Sequence, residues 1–594
     1  LSNALTSQPL MGLPTLTDTE NLIKFVRGQY VIGYPRSDTR NKCTSGSAET
    51  CQWKLGDVIH SNPVVVGVPN MIYADPAYSE FTNNNNNRDL VAYFCSNEGM
   101  VHAVRMAYFD TSLNKYKKDT AATELWAFIP NATLPMLQRT TDGYHEYTTD
   151  GLLRAIDIKT NSGYKTVLLG GLRSGGQAIF AIDITDPHSP KLMWEINAQT
   201  NPTEFSKIGE SWSAPAMGRL CRQEPCTADN SSNPWVAIIG SGFDPNDIKN
   251  LSKMAYLTVI DIETGNIIKQ VQVSNKKGNI TTNIALLRDT RYGYIQKIFF
   301  GDYYGALWRI DLSIPGVITT FLETVMLADS DMLFKPADYD TSDINVPGRG
   351  PQRPITSQPR IAFGGNGQFW VYFGTGVYNE YDGNYPYQRF YGLIERANPL
   401  PYTDTDLTDM TYSTATNPGQ LSWFIELGHD DPTDVEFTGT VDQDCVNSCT
   451  SQGHSSGYCN STCKNVQQST KNRNERVLSP PEVYGGYVFF STYTPQNEPC
   501  GGGAARFYSV SYKTGAYESG LMLLGGNVTA TRSIEVSSGQ GIPSNPMIYV
   551  GKSGEGQIVA AGLVNVSTGN LIKIMLNPDK FTQAINILLW RVIR

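Results

Sequence analysis

A chain of 594 residues with only 17% charged residues and a net charge of -9 has room for a large core and for several domains. Its acidic balance and scattered Lys and Arg argue against nucleic acid or an anionic membrane surface as the main partner. No run reaches the roughly 18 apolar residues of a membrane span, and the 54 Gly, 33 Pro and 32 Tyr suit a β-rich globular protein.

The chain opens on Leu1-Ser2-Asn3-Ala4, with neither an initiator Met nor a charged-then-apolar leader pattern. It reads as a fragment or processed product whose signal peptide lay upstream. Residues 1–55 form an N-terminal segment in which one helix is expected over Thr19–Arg27, capped by Thr17 or Thr19, followed by a loop between Cys43 and Cys51. From residue 56 to 594 the pattern is strands and turns.

A glycine-bearing hairpin recurs through this region. It appears at Val91–Val104, then at Val167–Gly171 with Ala178–Ile184, and at Trp235–Gly242 with Leu257–Gly265. The copy at Ile298–Leu312 has two apolar runs around Gly301-Asp302-Tyr303-Tyr304-Gly305. Further copies lie at Trp370–Gly376 with Phe390–Glu395 and Tyr487–Thr492 with Arg506–Ser511, and a weaker seventh lies at Met547–Gly551. Several are preceded by a Ser/Pro start: Ser61-Asn62-Pro63, Ser213-Ala214-Pro215, Ser357-Gln358-Pro359, Ser479-Pro480-Pro481 and Ser544-Asn545-Pro546. Proline is tolerated at the first residue of a strand because no ladder N–H is lost there. Irregular antiparallel repeats of this kind predict an all-β propeller rather than an array of sandwiches, which would not repeat the glycine hairpin in one register. Long loops are inserted between copies, the largest a Cys-rich insert at about 430–475.

The ten cysteines point to an oxidising compartment. Cys43/Cys51 and Cys221/Cys226 each close a short polar loop. Cys445, Cys449, Cys459 and Cys463 form a C-x3-C-x9-C-x3-C set, and Cys95 and Cys500 remain over as the last two cysteines of the disulfide complement. Zinc is the alternative for the quartet, but zinc sites favour other spacings, and x3 spacing suits two stapled helical turns. Nested pairing, Cys445 with Cys463 and Cys449 with Cys459, is the simplest arrangement.

Enzymatic chemistry finds little footing. The six histidines show no metal-binding spacing, and there is no nucleophile elbow or phosphate loop. His60 and His102 read as structural residues whose ring nitrogens satisfy buried carbonyls, and Asp57 and Asp302 as turn caps. Asp244, Asn246 and Asp247, and separately Asp382 and Asn384, partly match an oxygen-rich calcium loop but equally suit Asx turns.

Several of these stretches resemble the C-terminal domain of the PilY/PilC family of type IV pilus biogenesis factors and tip adhesins. Leu55-Gly56-Asp57-Val58-Ile59-His60-Ser61-Asn62-Pro63-Val64 resembles the family's LGDIVHSSPV opening, and Asn97-Glu98-Gly99-Met100-Val101-His102-Ala103 its NDGMLHAF. Gly175–Thr185 is similar to GGQAIFALDVT and Gly301–Leu312 to GDLQGNLWRFDL. Pro354-Ile355-Thr356, Phe373–Gly376 and Arg389–Gly392 follow in the family's order, and the match runs from about residue 20 to Trp590-Arg591.

The resemblance implies a modified seven-bladed β-propeller with quinoprotein-like blades, at the C-terminal end of a larger secreted protein. It implies a non-enzymatic role in pilus assembly, adhesion and twitching motility. Location would be extracellular, at the pilus tip or outer-membrane surface after export through the periplasm. Minor pilins and a host-cell or abiotic surface would be the partners. A quinoprotein-type propeller enzyme and an envelope scaffold are the alternatives. No cofactor is expected. Many family members carry a D-x-N-x-D-x-x-x-D calcium loop before the GDLxGNLW hairpin; here its ligand positions fall on Arg288, Thr290, Tyr292 and Gln296, with Asp289 one residue out of step. The family's calcium site is therefore expected to be lost. The insert at 430–475 and the Asn83–Asn87 loop are the expected recognition elements, because long loops on a rigid scaffold commonly carry recognition.

Overall fold

The computed structural model describes residues 4–581, except for 30, 35–54, 120–121, 143–144, 229, 243–251, 280–282, 314–315, 345–351, 366, 378–386, 397–400, 412–421, 429–436, 442–463, 467–473, 496–502, 525–526, 529–531, 537–540, 553–556 and 568. Among the described residues, seven sheets of four or five strands follow one another along the chain, each a blade of a seven-bladed β-propeller. Blade one is Val64–Val66, Leu90–Ser96 and Met100–Asp110, whose last strand pairs Glu124–Phe128 with one half and Lys115–Lys118 with the other. Blades two and three are four-stranded meanders over Arg154–Asn197 and Ala216–Gln272, and blade four runs from Ala285–Arg288 to Met332–Phe334. Blade five starts at Arg360–Gly365, blade six at Glu482–Tyr484 and blade seven at Met547–Lys552.

The predicted hairpins are the second and third strands of blades one to six, where the pattern is a continuous apolar run. Trp235–Gly240 is buried at every position, as expected of a strand packed on both faces. Each Ser/Pro start leads directly into a first strand: Pro63 into Val64, Pro215 into Ala216, Pro359 into Arg360, Pro481 into Glu482 and Pro546 into Met547. The seventh copy differs. Met547–Gly551 lies in the opening strand of its blade, and the hairpin proper is Ile558–Asn565 with Leu571–Leu576.

The chain divides into two compact units, one taking Leu1–Tyr303, Leu307–Met332 and Asp343–Gly350, the other the remainder. In the first, the described residues of the N-terminal segment form two helices where one was expected, α1 (Ala4–Met11) and α2 (Leu16–Val26). The cap of α2 is Thr15, whose hydroxyl accepts from the Asp18 N–H, so the helix starts earlier than the acidic first turn suggested. Both helices share a core with Met100, Leu134 and Leu137 through Met11, Leu22 and Phe25. A third helix, α3 (Pro76–Asn84), sits between the first two strands of blade one, capped by Asp75 with Pro76 at its first position. Asn83 and Asn84 are thus the last turn of a helix, not part of a loop.

In the second unit, blades five and six pack through large rings. Phe390 stacks on Phe490 at 3.8 Å between centroids, and Trp370, Tyr372 and Trp423 are each almost fully buried. Blades six and seven are interlocked by sequence order. After the third strand of blade six, Ala504–Ser511, the chain leaves to supply Met522–Leu524 and, outside it, Asn527–Val528 to blade seven. It then returns to give Ser533–Glu535 as the outer strand of blade six.

Candidate functional site

The residues that carry the family likeness in the first third of the chain meet in one polar cluster. Gly56 donates its N–H to Glu98 Oε2 at 2.6 Å. A Cβ at Gly56 would lie 1.9 Å from that oxygen, so only glycine fits there. Asn97 donates its N–H to the Asp57 carbonyl and its Nδ2 to Asp57 Oδ2, 3.1 Å away. The Thr148 N–H donates to Asn97 Oδ1. Ser61 accepts from the Cys95 N–H at 2.8 Å. The two motifs are therefore two sides of one knot.

Both histidines of this knot are paired with carboxylates, not with the carbonyls expected from sequence. His60 Nδ1 lies 2.6 Å from Asp150 Oδ2, while its backbone N–H donates to Asp150 Oδ1. His102 Nε2 lies 2.7 Å from Glu98 Oε1, and its Nδ1 2.6 Å from Glu124 Oε1. Burial opposes charging of the His102 ring, but the two carboxylates outweigh it and push the pKa up to about 9. Asp57 is no turn cap either: its Oδ2 also lies 2.8 Å from His145 Nε2. Asp150 was missed, its only sequence signal being the turn-forming Asp150-Gly151 pair.

Asp302 is fully buried and accepts from the Trp308 indole N–H at 2.9 Å and from Asn279 Nδ2 at 3.1 Å. It ties the two strands of the hairpin across a turn in which Gly305 has φ +85°. That also corrects its reading as a turn cap. Asp289 closes the loop before this hairpin by itself. Its Oδ1 accepts from the N–H groups of Arg291 (2.8 Å) and Tyr292 (2.7 Å), and its Oδ2 from that of Tyr294 at 2.6 Å. Arg288 points elsewhere, donating to the Met217 carbonyl.

The Cys-rich insert is anchored at its root. Glu475 is almost fully buried and accepts from the Gly428 N–H (2.8 Å), the Thr492 hydroxyl (2.5 Å) and the Tyr508 hydroxyl (2.8 Å). Gly428 enters the insert and Glu475 leaves it. Beyond this root, Phe437–Val441 pairs antiparallel with Lys464–Val466 and brings the ends of 442–463 side by side. Nothing in the sequence around Glu475 marks this role.

Cys221 and Cys226 form a disulfide, with Cα atoms 5.5 Å apart. Cys95 does not pair: it is a free, buried thiol whose pKa is pushed up to about 12 by burial. It lies in a strand core beside Val91 and Leu168, with its side chain hydrogen-bonded to Ser61, which corrects its inclusion among the disulfides. Cys43, Cys51, Cys445, Cys449, Cys459, Cys463 and Cys500 lie outside the described residues, as do Asp244, Asn246, Asp247, Asp382 and Asn384.

A family model of the PilY1 β-propeller domain matches residues 55–398. The chain belongs to the PilY1 β-propeller family. A type IV pilus biogenesis factor PilY1 homolog of Xylella fastidiosa is 30% identical over 63% of this chain and 28% of its own length. The type IV pilus biogenesis factor PilY1 of Pseudomonas aeruginosa is 27% identical over 78% of this chain and 40% of its own. The chain thus spans well under half the length of these curated relatives. The crystal structure of the Pseudomonas aeruginosa PilY1 C-terminal domain superposes with a TM-score of 0.56, covering 87% of this chain and 99% of that one at 20% identity. That likeness is one of fold. The family's recognisable residues Gly56, Asp57, Asn97, Glu98 and His102 are those that bond to one another here.

Proposed function

We propose that this chain is the propeller of a non-enzymatic type IV pilus-associated factor that supports pilus assembly and presents an adhesive loop outside the cell. What carries the reading is how the family-like residues are used. The carboxylates and imidazoles of the blade-one knot bond to one another and tie together separate stretches of the chain, a use that suits a scaffold. Minor pilins are its proposed partners at the pilus tip, and a host-cell or abiotic surface is what the insert would meet. The anchored root at Gly428 and Glu475 supports the insert as the presented element, since recognition loops work from rigid supports. Deleting residues 440–470 is expected to leave surface piliation intact and to reduce adhesion severalfold, scored by counting pili and attached cells. Loss of both together would remove the insert as the adhesive element.

We also infer that the loop at 289–294 takes no calcium. A calcium loop holds its backbone around a cation bound by several oxygens. Here three N–H groups converge on one carboxylate, Asp289, and Arg288 and Arg291 flank it. Calorimetric titration with calcium is expected to show no micromolar binding that depends on Asp289. Micromolar heat that Asp289→Ala abolishes would overturn this.

A further inference from the structure

Arg173, in the turn between the second and third strands of blade two, has a φ of +54°. This left-handed region crowds the Cβ of any residue but glycine. The turn has no freedom to relax. On one side, the Asp150 N–H donates to the Leu172 carbonyl, and a Cβ on Gly175 would lie 1.7 Å from the Thr148 carbonyl oxygen. On the other, Arg173 bridges to Ser211, whose hydroxyl accepts from the Leu172 N–H at 2.8 Å. Backbone strain of this kind persists where the surroundings impose it, and it gathers at binding sites.

What the strained turn presents is a cation without a hydrogen bond. The guanidinium lies over the Trp212 ring, 4.5 Å from its centroid. Among the described residues, no acceptor bonds to it and no carboxylate oxygen comes within 4.0 Å of it. Arg173 is half-buried, and burial lowers its pKa, with Asp150, Tyr147 and Glu210 acting against that. These two carboxylates are already engaged. The Asp150 oxygens take the His60 N–H and Nδ1, and Glu210 Oε2 accepts from the Trp212 indole N–H at 2.8 Å. Thr149 lies between the Thr148–Gly175 and Asp150–Leu172 contacts, opposite Arg173, and its buried hydroxyl has no partner. Arginine is seldom buried without an ion pair, and an unsatisfied buried polar atom points to a missing water or ligand. Here the unfilled groups can donate, and the carboxylates around them are filled.

We propose that Arg173 is the centre of an anion-binding site that takes the carboxylate of an acidic side chain from a protein partner. The guanidinium offers a carboxylate two parallel N–H donors, and Trp212 beneath it fixes the plane of that fork. A sugar would need acceptors as well as donors for its hydroxyls, and Asp150 and Glu210 are already taken. That the partner is a protein rests on the pilus-assembly reading above; that the site takes a carboxylate does not.

The test titrates the 594-residue chain with the amide of acetylated glutamate and reads binding by saturation-transfer NMR on the probe's own protons. The amide of acetylated glutamine is the neutral control, and galacturonate is a sugar acid for comparison. Arg173→Asn removes the guanidinium while suiting the left-handed backbone. Arg173→Lys keeps the charge without the fork and serves alone should the asparagine variant fail to fold, which melting midpoints reveal. Saturable millimolar binding of the glutamate probe is expected, about tenfold weaker in Arg173→Lys and lost in Arg173→Asn, with no binding of the glutamine probe. No saturable binding to the wild type overturns the site. So does equal binding by the variants, or equal binding of the glutamine probe. Tighter binding of galacturonate than of the glutamate probe overturns the protein partner in favour of a glycan. Either failure leaves the pilus reading standing, because that is scored by pili on cells and not by this titration.

Discussion

Replacing Glu475 by alanine is expected to cost about 3–5 kcal/mol of stability, the largest loss of any single polar substitution considered for this fold. The carboxylate is buried and shared by three donors: the Gly428 N–H and the hydroxyls of Thr492 and Tyr508. Alanine leaves all three without an acceptor, and each unsatisfied buried donor costs about 1–3 kcal/mol. The chain around them relaxes in part, which sets the lower end. Glu475→Gln keeps the shape and one carbonyl oxygen and is expected to lose about 1–2 kcal/mol. Urea unfolding measures both. A loss below about 0.5 kcal/mol for alanine, the range of ordinary surface changes, would mean that the root of the insert is not held by this carboxylate. Because Gly428 and Glu475 are the two ends of the insert, the same variant is expected to speed hydrogen exchange at Gly428 ahead of global unfolding.

His102 makes the second large effect one of pH. Burial alone would keep its ring neutral, yet Glu124 and Glu98 hold one nitrogen each, and the balance raises the pKa from 6.5 to about 9. The folded state thus binds a proton that the unfolded chain releases at lower pH. The resulting stability is complete below about pH 6.5 and is lost as pH rises through about 9. Its size is on the order of 3 kcal/mol, at 1.36 kcal/mol per pKa unit. Stability is therefore expected to fall between pH 7 and 9.5 in the wild type. In His102→Gln, which cannot charge, that interval is expected to be flat and the protein weaker at pH 7. Denaturation midpoints measured across this range for both proteins test it, and parallel curves would remove His102 as the cause.

Much of the architecture was readable because blade strands are packed on both faces and so become uninterrupted apolar runs. Trp235–Gly240 and Trp370–Gly374 announce themselves in this way. The Ser/Pro starts were legible for a different reason: proline is admitted at the first position of a strand and few other places in a sheet. The helices were harder. Asp75-Pro76 is a sound start signal for α3, but nine residues with two buried side chains, Tyr78 and Phe81, give little periodicity to read. α1 has Pro9 inside it and no apolar stripe. Blade seven was faint because its opening strand, Met547–Lys552, has no buried position to make a continuous apolar run.

The polar site was legible in its residues and not in its pairings. Gly56, Asp57, His60 and Asn97–His102 stood out as motifs, while the partners that define their roles, Asp150 and Glu124, lie in other parts of the chain. A hydrogen bond across 90 residues, such as His60 with Asp150, has no local signature. Glu475 is the extreme case, being one acidic residue in a polar stretch until Gly428, Thr492 and Tyr508 converge on it.

The crossed order of the last two blades changes how the end of the molecule comes apart. In a simple series of blades, the final one could peel away and leave its neighbour whole. Here the strand Leu571–Leu576 is gripped on one side by Ile558–Asn565 and on the other by Met522–Leu524. The latter is a loop-out from the middle of blade six. Pulling the last strand free also slackens the connection that returns Ser533–Glu535 to Ala504–Ser511, and it opens the core that Phe507 shares with Leu576. The two blades lose structure as one cooperative unit. A load applied at the C-terminal end is therefore met by a stitched pair of sheets, not by a single terminal hairpin.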